Sequence, residues 1–372
     1  MRILVVEYVA GGGLAGEPLP PTLAREGAAM LDAAVADFSA LADVITTRDA
    51  RLPAPPAARR VHVVEPGGFE KTLEAALAAC DAALIVAPEI GGTLAALTER
   101  VETASVPNLG SSSAAVRVAG DKLVTARLLA GAGLPVPATR PAATPGDAAA
   151  LGFPVVLKPR VGAGAVGLRC AASAARLQAA WQDAMAECAE AVRLVRPRGG
   201  SPGGSEPVMI PQRDGPGPGG GEPALIAQRR VPGVHASVSL IVAGGRPHPI
   251  TLNGQTIAEG ERFEYEGGVV PLDHPLEARA LEVAVDACRA VPGLAGYVGV
   301  DLVLGADAIV IEINPRLTTA YVALRRALAV NPAGQILRAA RGERPEAVPC
   351  VRRVRFTAGG GVSVEALHRV PA

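Results

Sequence analysis

A chain of 372 residues with 49% hydrophobic and 19% charged residues has the composition of a globular protein of two or three subdomains with a sizeable core. Lysine plus arginine and aspartate plus glutamate both count 36, so no global field draws the chain toward nucleic acid or an anionic membrane. Cys80, Cys170, Cys188, Cys288 and Cys350 are scattered, with no CxxC pair and no histidine cluster at zinc-ligand spacing, and they read as reduced, buried thiols. The opening MRILVVEYVAGGG holds an apolar run far shorter than a membrane span and ends in glycines rather than at a cleavage site. A cytoplasmic protein is expected.

The first hundred residues alternate short apolar runs with alanine-rich helical stretches. A strand is expected at Ile3 to Tyr8, a helix at Leu23 to Leu41, a strand at Val61 to Val64 and a helix at Phe69 to Ala79. Next come a strand at Ala82 to Ala87 and a helix at Thr93 to Thr103. This βα alternation predicts a small parallel sheet whose strand ends form ligand-facing loops. The first such loop carries Glu7, Tyr8 and Gly11 to Gly13, readable either as a plain turn or as a close approach of backbone to ligand. It lacks the GxGxxG spacing, which argues against a nicotinamide-binding domain. The loop after Ala87 carries Glu89, Gly91 and Gly92, and Glu89 reads equally as a helix-start carboxylate.

From Asp121 the pattern changes. A helix at Asp121 to Ala132 precedes a strand reading Phe153-Pro-Val-Val-Leu-Lys158-Pro159. Residues 196–223 hold nine glycines and seven prolines in 28 positions, a composition that predicts a mobile insertion without packed elements. Strands follow near Leu225 to Val231, Ala236 to Val242 and Pro249 to Leu252, then a helix near Leu276 to Val291 and paired strands at Tyr297 to Leu304 and Ala308 to Ile313. The layout is α+β.

Phosphoryl transfer from ATP needs cations on the phosphates, a cover of backbone N–H groups, and carboxylates for magnesium. Lys158 ends an apolar strand and is followed at once by a loop containing Gly162, Gly164 and Gly167, suited to triphosphate oxygens, although a hairpin with a solvated lysine has the same pattern. Glu312 and Asn314 fall on one face of their strand, with Asp301 on the neighbouring strand. Two carboxylates and an amide oxygen among apolar neighbours suit a hard cation; strand-end carboxylates in solvent are the plainer alternative.

Taken together, Asp121-Lys122, Lys158 with its glycine-rich loop, Gln228 and Gly233, Asp301, and Glu312-Ile313-Asn314-Pro315-Arg316 resemble the ATP-grasp superfamily over roughly residues 110 to 330. The resemblance implies an α/β and α+β chain: a Rossmann-like pre-ATP-grasp domain (1–110), a small lobe with the lid loop and the Gly/Pro insertion (111–230), and a C-terminal lobe with the metal site (231–372). It implies that Lys122 and Lys158 contact ATP phosphates, that residues 160–167 form the lid, and that Gln228 faces the adenine. Asp301, Glu312 and Asn314 would bind two magnesium ions, with manganese as a substitute, and Arg316 would lie near the acyl phosphate. Where many members carry a ribose-contacting acid, this sequence has His235.

Glu7-Tyr8-Val9 with its glycines, Ala87-Pro88-Glu89, the expected turn Leu252-Asn253-Gly254-Gln255 and the run through Thr318-Thr319 resemble, more narrowly, the tyramine–L-glutamate ligases of methanofuran biosynthesis. That resemblance implies ATP, L-glutamate and tyramine as small-molecule partners, with no nucleic acid or membrane and homo-oligomerisation left open. Asn253 and Gln255 suit an amino-acid head group, Arg316 suits a carboxylate, and Glu7 or Glu89 could receive the amine. Tyr8 and Thr318 join this substrate set, while Thr318 and Thr319 equally suit the cap of a following helix. A ligase for another amino acid or a dipeptide of the D-alanine–D-alanine kind, and a non-catalytic ATP-binding scaffold, are the alternatives.

Overall fold

The computed structural model describes residues 1–195 and 224–366; the Gly/Pro-rich segment expected to be mobile lies outside the described residues. The chain opens with β1 (Arg2–Glu7), α1 (Pro21–Ser39), β2 (Asp43–Asp49), β3 (Arg60–Val64), α2 (Phe69–Ala78), β4 (Ala82–Val86) and α3 (Thr93–Thr103). The four strands pair in parallel in the order β3-β2-β1-β4. Residues Ile3 to Val6 of β1 are all buried because helices cover both sheet faces, as parallel sheets require. Ile3 and Val5 pack with Leu31 and Phe38 of α1, whereas Leu4 and Val6 pack with Leu73 of α2 and Leu94 of α3. Strand β2 is absent from the sequence reading. Its segment DVITTRD looks half polar, yet every residue after Asp43 is buried between its neighbours.

The middle of the chain holds α4 (Ser113–Gly120), α5 (Lys122–Gly131), β5 (Thr139–Pro141), α6 (Pro145–Ala149), β6 (Val155–Pro159), β7 (Arg169–Ala171), α7 (Ala174–Val195) and β8 (Leu225–Arg229). The strands form an antiparallel sheet, β5-β8-β6-β7, with its own core of Leu157, Leu177, Ala180 and Leu225. Next come β9 (Val234–Ala243), β10 (Arg246–Ala258), β11 (Glu264–Val270), α8 (Glu277–Arg289), β12 (Gly296–Leu304) and β13 (Ala308–Asn314). The described chain closes with α9 (Ala320–Ala327), α10 (Pro332–Ala340), β14 (Arg352–Thr357) and β15 (Val362–Ala366).

The last seven strands build one antiparallel sheet, β13-β12-β9-β10-β11-β14-β15. Strand alternation gives it two characters. Val238, Leu240, Val298, Val300 and Leu302 pack with Ala280, Val283 and Ala287 of α8, so Ser237, Ser239, Tyr297 and Asp301 occupy the opposite face. The segment Leu252 to Gln255, expected to turn, runs straight inside the 13-residue β10. Gly254 is there for space: a Cβ would come within 2.9 Å of Val269 on β11. Among the described residues the five cysteines form no disulfide, and Cys80 and Cys350 are only half-buried, unlike the expectation for them. Among the described residues no helix is long and apolar enough to cross a membrane.

Candidate active site

A cavity of about 210 Å³ is lined by β6, β8 and the loop after β6 on the small-lobe side and by β9, β10, β12 and β13 on the other. Asp121 caps α5 by accepting from the N–H groups of Leu123 and Val124, and its carboxylate also holds Arg160 at 2.8 Å. This places Lys122 at the helix start, where the helix dipole disfavours a cation and the Asp121 charge offsets it. The Lys122 ammonium donates to the Gly162 carbonyl at 2.7 Å and pairs with Glu312 at 3.0 Å. Lys158 is buried, and burial pushes its ammonium down to about 8; Lys122 adds to that shift, while Glu312 and Asp301 oppose it.

Asp301 stands directly opposite Glu312 across the β12–β13 pair, next to a β-bulge. Gln255 donates to its Oδ1 and Asn314 to its Oδ2, both at 3.0 Å. Burial and the Glu312 charge raise the Asp301 carboxyl; burial acts the same way on Glu312, but Lys122 and Lys158 outweigh it and hold Glu312 low. Both side chains are partly buried at the cavity wall, with 22% of the Glu312 side chain exposed. Among the described residues no three His, Cys, Asp or Glu side chains cluster as a metal site. Two carboxylates with one amide is a poor cage for zinc but fits magnesium, which takes much of its shell from phosphate oxygens and water.

At the end bordered by the loop after β6, Gly162, Ala163, Gly164, Ala165 and Val166 line the cavity, whereas Gly167 does not. The Gly167 N–H donates instead to Glu187 on α7 at 3.0 Å, which anchors the far end of the loop to the small lobe. Gln228 lines the cavity with its amide N–H donated to the Thr139 hydroxyl at 2.9 Å. His235 also lines it, and its Nε2 lies 2.6 Å from Glu259, which pairs in turn with Arg230. Glu259 is a site residue that sequence reasoning missed. It arrives just past the end of β10 through the sheet, 24 positions from His235, so no local spacing announces it.

At the other end the expected substrate residues separate. Arg316 and Gln255 line the cavity, as does Thr318, whose Oγ1 lies 3.0 Å from the Tyr297 hydroxyl. Glu7, Tyr8, Glu89 and Asn253 do not. Glu89 is buried and accepts two Arg316 hydrogen bonds at 2.9 Å each, so it positions the guanidinium rather than receiving an amine. Tyr8 packs edge-on against Phe69 with ring centroids 5.4 Å apart. Glu7 lies under α1, accepting from the Ala10 N–H at 2.6 Å, in space that exists because residue 27 is glycine: a Cβ there would stand 2.3 Å from Oε2. Asn253 is buried within the sheet and donates to Ser237 and Ser239. Thr319 stands at the start of α9 but makes no capping bond; its hydroxyl donates to Glu26 of α1 at 2.6 Å. Glu26 lines the cavity, and as a lone glutamate on an alanine-rich helix it gave no signal in the sequence. Glu89→Gln, which leaves the buried Arg316 one neutral acceptor and sets an amide N–H against its other donor, is expected to lower stability by about 3 kcal/mol or more, read as a shift in the urea midpoint.

Residues 42–116 match the pre ATP-grasp 3 domain and residues 178–320 the ATP-grasp domain. A protein described as belonging to the ATP-grasp superfamily, from Archaeoglobus fulgidus, superposes with a TM-score of 0.65 at 26% identity, covering 99% of this chain and all of that one. The tyramine–L-glutamate ligase of Methanocaldococcus jannaschii is 43% identical over 90 residues, 24% of this chain and 28% of that protein. The D-alanine–D-alanine ligase of Ectopseudomonas mendocina is 37% identical over 108 residues, 28% of this chain and 34% of its own length. The chain thus matches only about a third or less of the length of these curated relatives. With the parallel N-terminal sheet, the two antiparallel sheets and the cavity between them, the chain belongs to the ATP-grasp superfamily and carries a pre-ATP-grasp domain ahead of the grasp.

Proposed function

We propose that this protein is an ATP-dependent carboxylate–amine ligase that forms an amide through an acyl phosphate, joining the γ-carboxylate of L-glutamate to the amine of tyramine. What carries the reading is the meeting of Lys122, Lys158, Asp301, Glu312 and Asn314 at a single cavity from four separate elements of the chain. Lys122 and Lys158 would hold the phosphates, with the amides of residues 162–166 above them. Gln228 would face the base, and His235 with Glu259 the sugar. Asp301, Glu312 and Asn314 would hold two magnesium ions, with manganese able to replace them; the metal supplies charge neutralisation of the phosphates when bound.

In the first step a carboxylate oxygen attacks the γ-phosphorus and the bond to ADP breaks. The amine then attacks the acyl carbon, and phosphate leaves with the electrons of the C–O bond while nitrogen loses a proton to the phosphate or solvent. The protein's share is positioning and electrostatics. Arg316, fixed by Glu89, would face the charge that develops on the acyl phosphate.

The test is ADP release by purified protein with ATP, magnesium and L-glutamate, with and without tyramine, following product by mass. A γ-glutamyltyramine product absent from Glu312→Ala is the expected result. ADP formed with D-alanine but not with glutamate would move the protein to the dipeptide-forming ligases. Nucleotide binding without turnover on any acid and amine pair would leave a scaffold.

A further inference from the structure

We propose that the end of the cavity beside Arg316 is a receptor for an α-amino acid head group, in which Glu26 takes the ammonium and the Thr318 hydroxyl donates to the α-carboxylate. The proposal rests on the ligase reading and specifies how its acid substrate is chosen. Two independent observations carry it.

The first is the state of Glu26. It lines the cavity from α1, and its Oε1 accepts a single hydrogen bond, from Thr319 at 2.6 Å. Among the described residues no arginine, lysine or histidine forms an ion pair with it, while the neighbouring Arg316 is committed to Glu89. A carboxylate offers about four acceptor sites, so Glu26 keeps unspent acceptor capacity and negative charge at the cavity wall. An ammonium is the ligand group that answers both.

The second is a chain of hydroxyls whose direction is fixed from its buried end. The Asn253 amide nitrogen donates to Ser239 at 2.9 Å and to Ser237 at 3.3 Å, and such a nitrogen cannot accept. Ser239 lies 2.7 Å from the Tyr297 hydroxyl, and Tyr297 lies 3.0 Å from Thr318. With Ser239 already accepting, its proton goes to Tyr297, the Tyr297 proton goes to Thr318, and the Thr318 proton is left for the cavity. Running the chain the other way strands the Ser239 proton without an acceptor at a residue 1% exposed, and rotating the Asn253 amide strands its N–H groups instead. As arranged, the Asn253 carbonyl oxygen alone goes unpartnered in this chain. Thr318 therefore presents a donor to the cavity that Arg316 and the acceptor Glu26 also line. A carboxylate beside an ammonium matches that pattern; two carboxylates or two amines do not.

Three acids separate the two contacts: L-glutamate, glutarate, which lacks the ammonium, and 4-aminobutyrate, which lacks the α-carboxylate. Their dissociation constants are measured by titration calorimetry on protein saturated with magnesium and a non-hydrolysable ATP analogue. Glu26→Gln is expected to weaken L-glutamate and 4-aminobutyrate about tenfold and to leave glutarate within twofold. Thr318→Val is expected to weaken L-glutamate and glutarate about fivefold and spare 4-aminobutyrate, with Thr318→Ser restoring the original values. Equal shifts for all three acids, no shift in either variant, or no acid binding to nucleotide-loaded protein would overturn the head-group assignment alone. Failure of the unaltered protein to bind the ATP analogue would remove the ligase reading and this proposal together.

Discussion

Glu312→Gln and Asp301→Asn are expected to change stability in opposite directions while each lowers ADP formation on the order of a thousandfold, the scale lost when a charge-stabilising group leaves a closed site. Glu312 is the counter-charge to Lys122, 3.0 Å away, and acts on Lys158 as well. Neutralising it leaves two buried ammonium groups short of a partner, and breaking such a pair costs about 3–5 kcal/mol. Asp301 is the reverse case, since its charge is opposed by both burial and the facing Glu312. The asparagine keeps the shape, can still accept from Gln255, and removes a like-charge repulsion, so a gain of about 1–2 kcal/mol is expected. Urea midpoints without nucleotide, paired with ADP release, read both effects. A Glu312→Gln protein as stable as the original would mean that Lys122 draws its stability from Gly162 and not from the carboxylate.

Glu7→Gln is expected to stabilise the protein at pH 8 by up to about 3 kcal/mol and by less than about 1 kcal/mol at pH 5. Burial raises the Glu7 carboxyl to about 7; the Ala10 and Val9 amides and Arg316 lower it in part, while Glu26 raises it further. The folded state thus holds a proton that the unfolded chain releases near the ordinary value of 4.5. Below that value both states are protonated and the folded form has its full stability. As pH rises from about 4.5 through 7 the unfolded state deprotonates first, and stability falls until the folded carboxyl ionises as well. Glutamine keeps an acceptor for the Ala10 N–H and has no proton to lose. The checking measurement is the melting temperature of both proteins at pH 4, 5, 6, 7 and 8, where the curves should meet at the acid end and separate upward. Parallel curves would show that Glu7 titrates normally.

Much of the cavity was legible because its chemistry depends on charged residues at the ends of apolar runs. Lys158 after Val-Val-Leu, and Glu312 with Asn314 at the end of β13, are costly where they stand unless something is bound or paired, and that cost is visible in the sequence. The residues that were misplaced share a different property. Glu7, Tyr8 and Glu89 stand at the ends of β1 and β4, where a ligand loop is a fair expectation, but α1 and Arg316 close over them through contacts remote in sequence. Glu26 and Glu259 failed in the opposite sense: each looks like an ordinary surface acid, and only the pairing of distant elements turns it inward. Strand β2 was lost because burial on both faces was supplied by neighbours and not by its own hydrophobicity.

One core passes through Ile3 and Val5 of β1, Leu31 and Phe38 of α1, Tyr321 and Leu324 of α9 and Ile336 of α10. Asp37 of α1 fastens the same seam, accepting from Tyr321 at 3.0 Å and from Arg325 at 2.8 Å. A segment boundary drawn at residue 110 therefore divides the sequence but not the solid. For anyone recombining this chain with a relative, the heritable module is the first sheet together with α9 and α10, and a chimera joined at residue 110 alone would pair two halves of a core that never evolved against each other. The sheet β5-β8-β6-β7 keeps a separate core, whereas α4 and α5 pack into the cores of the other two sheets, so what can be exchanged is that sheet and not everything between residues 111 and 230.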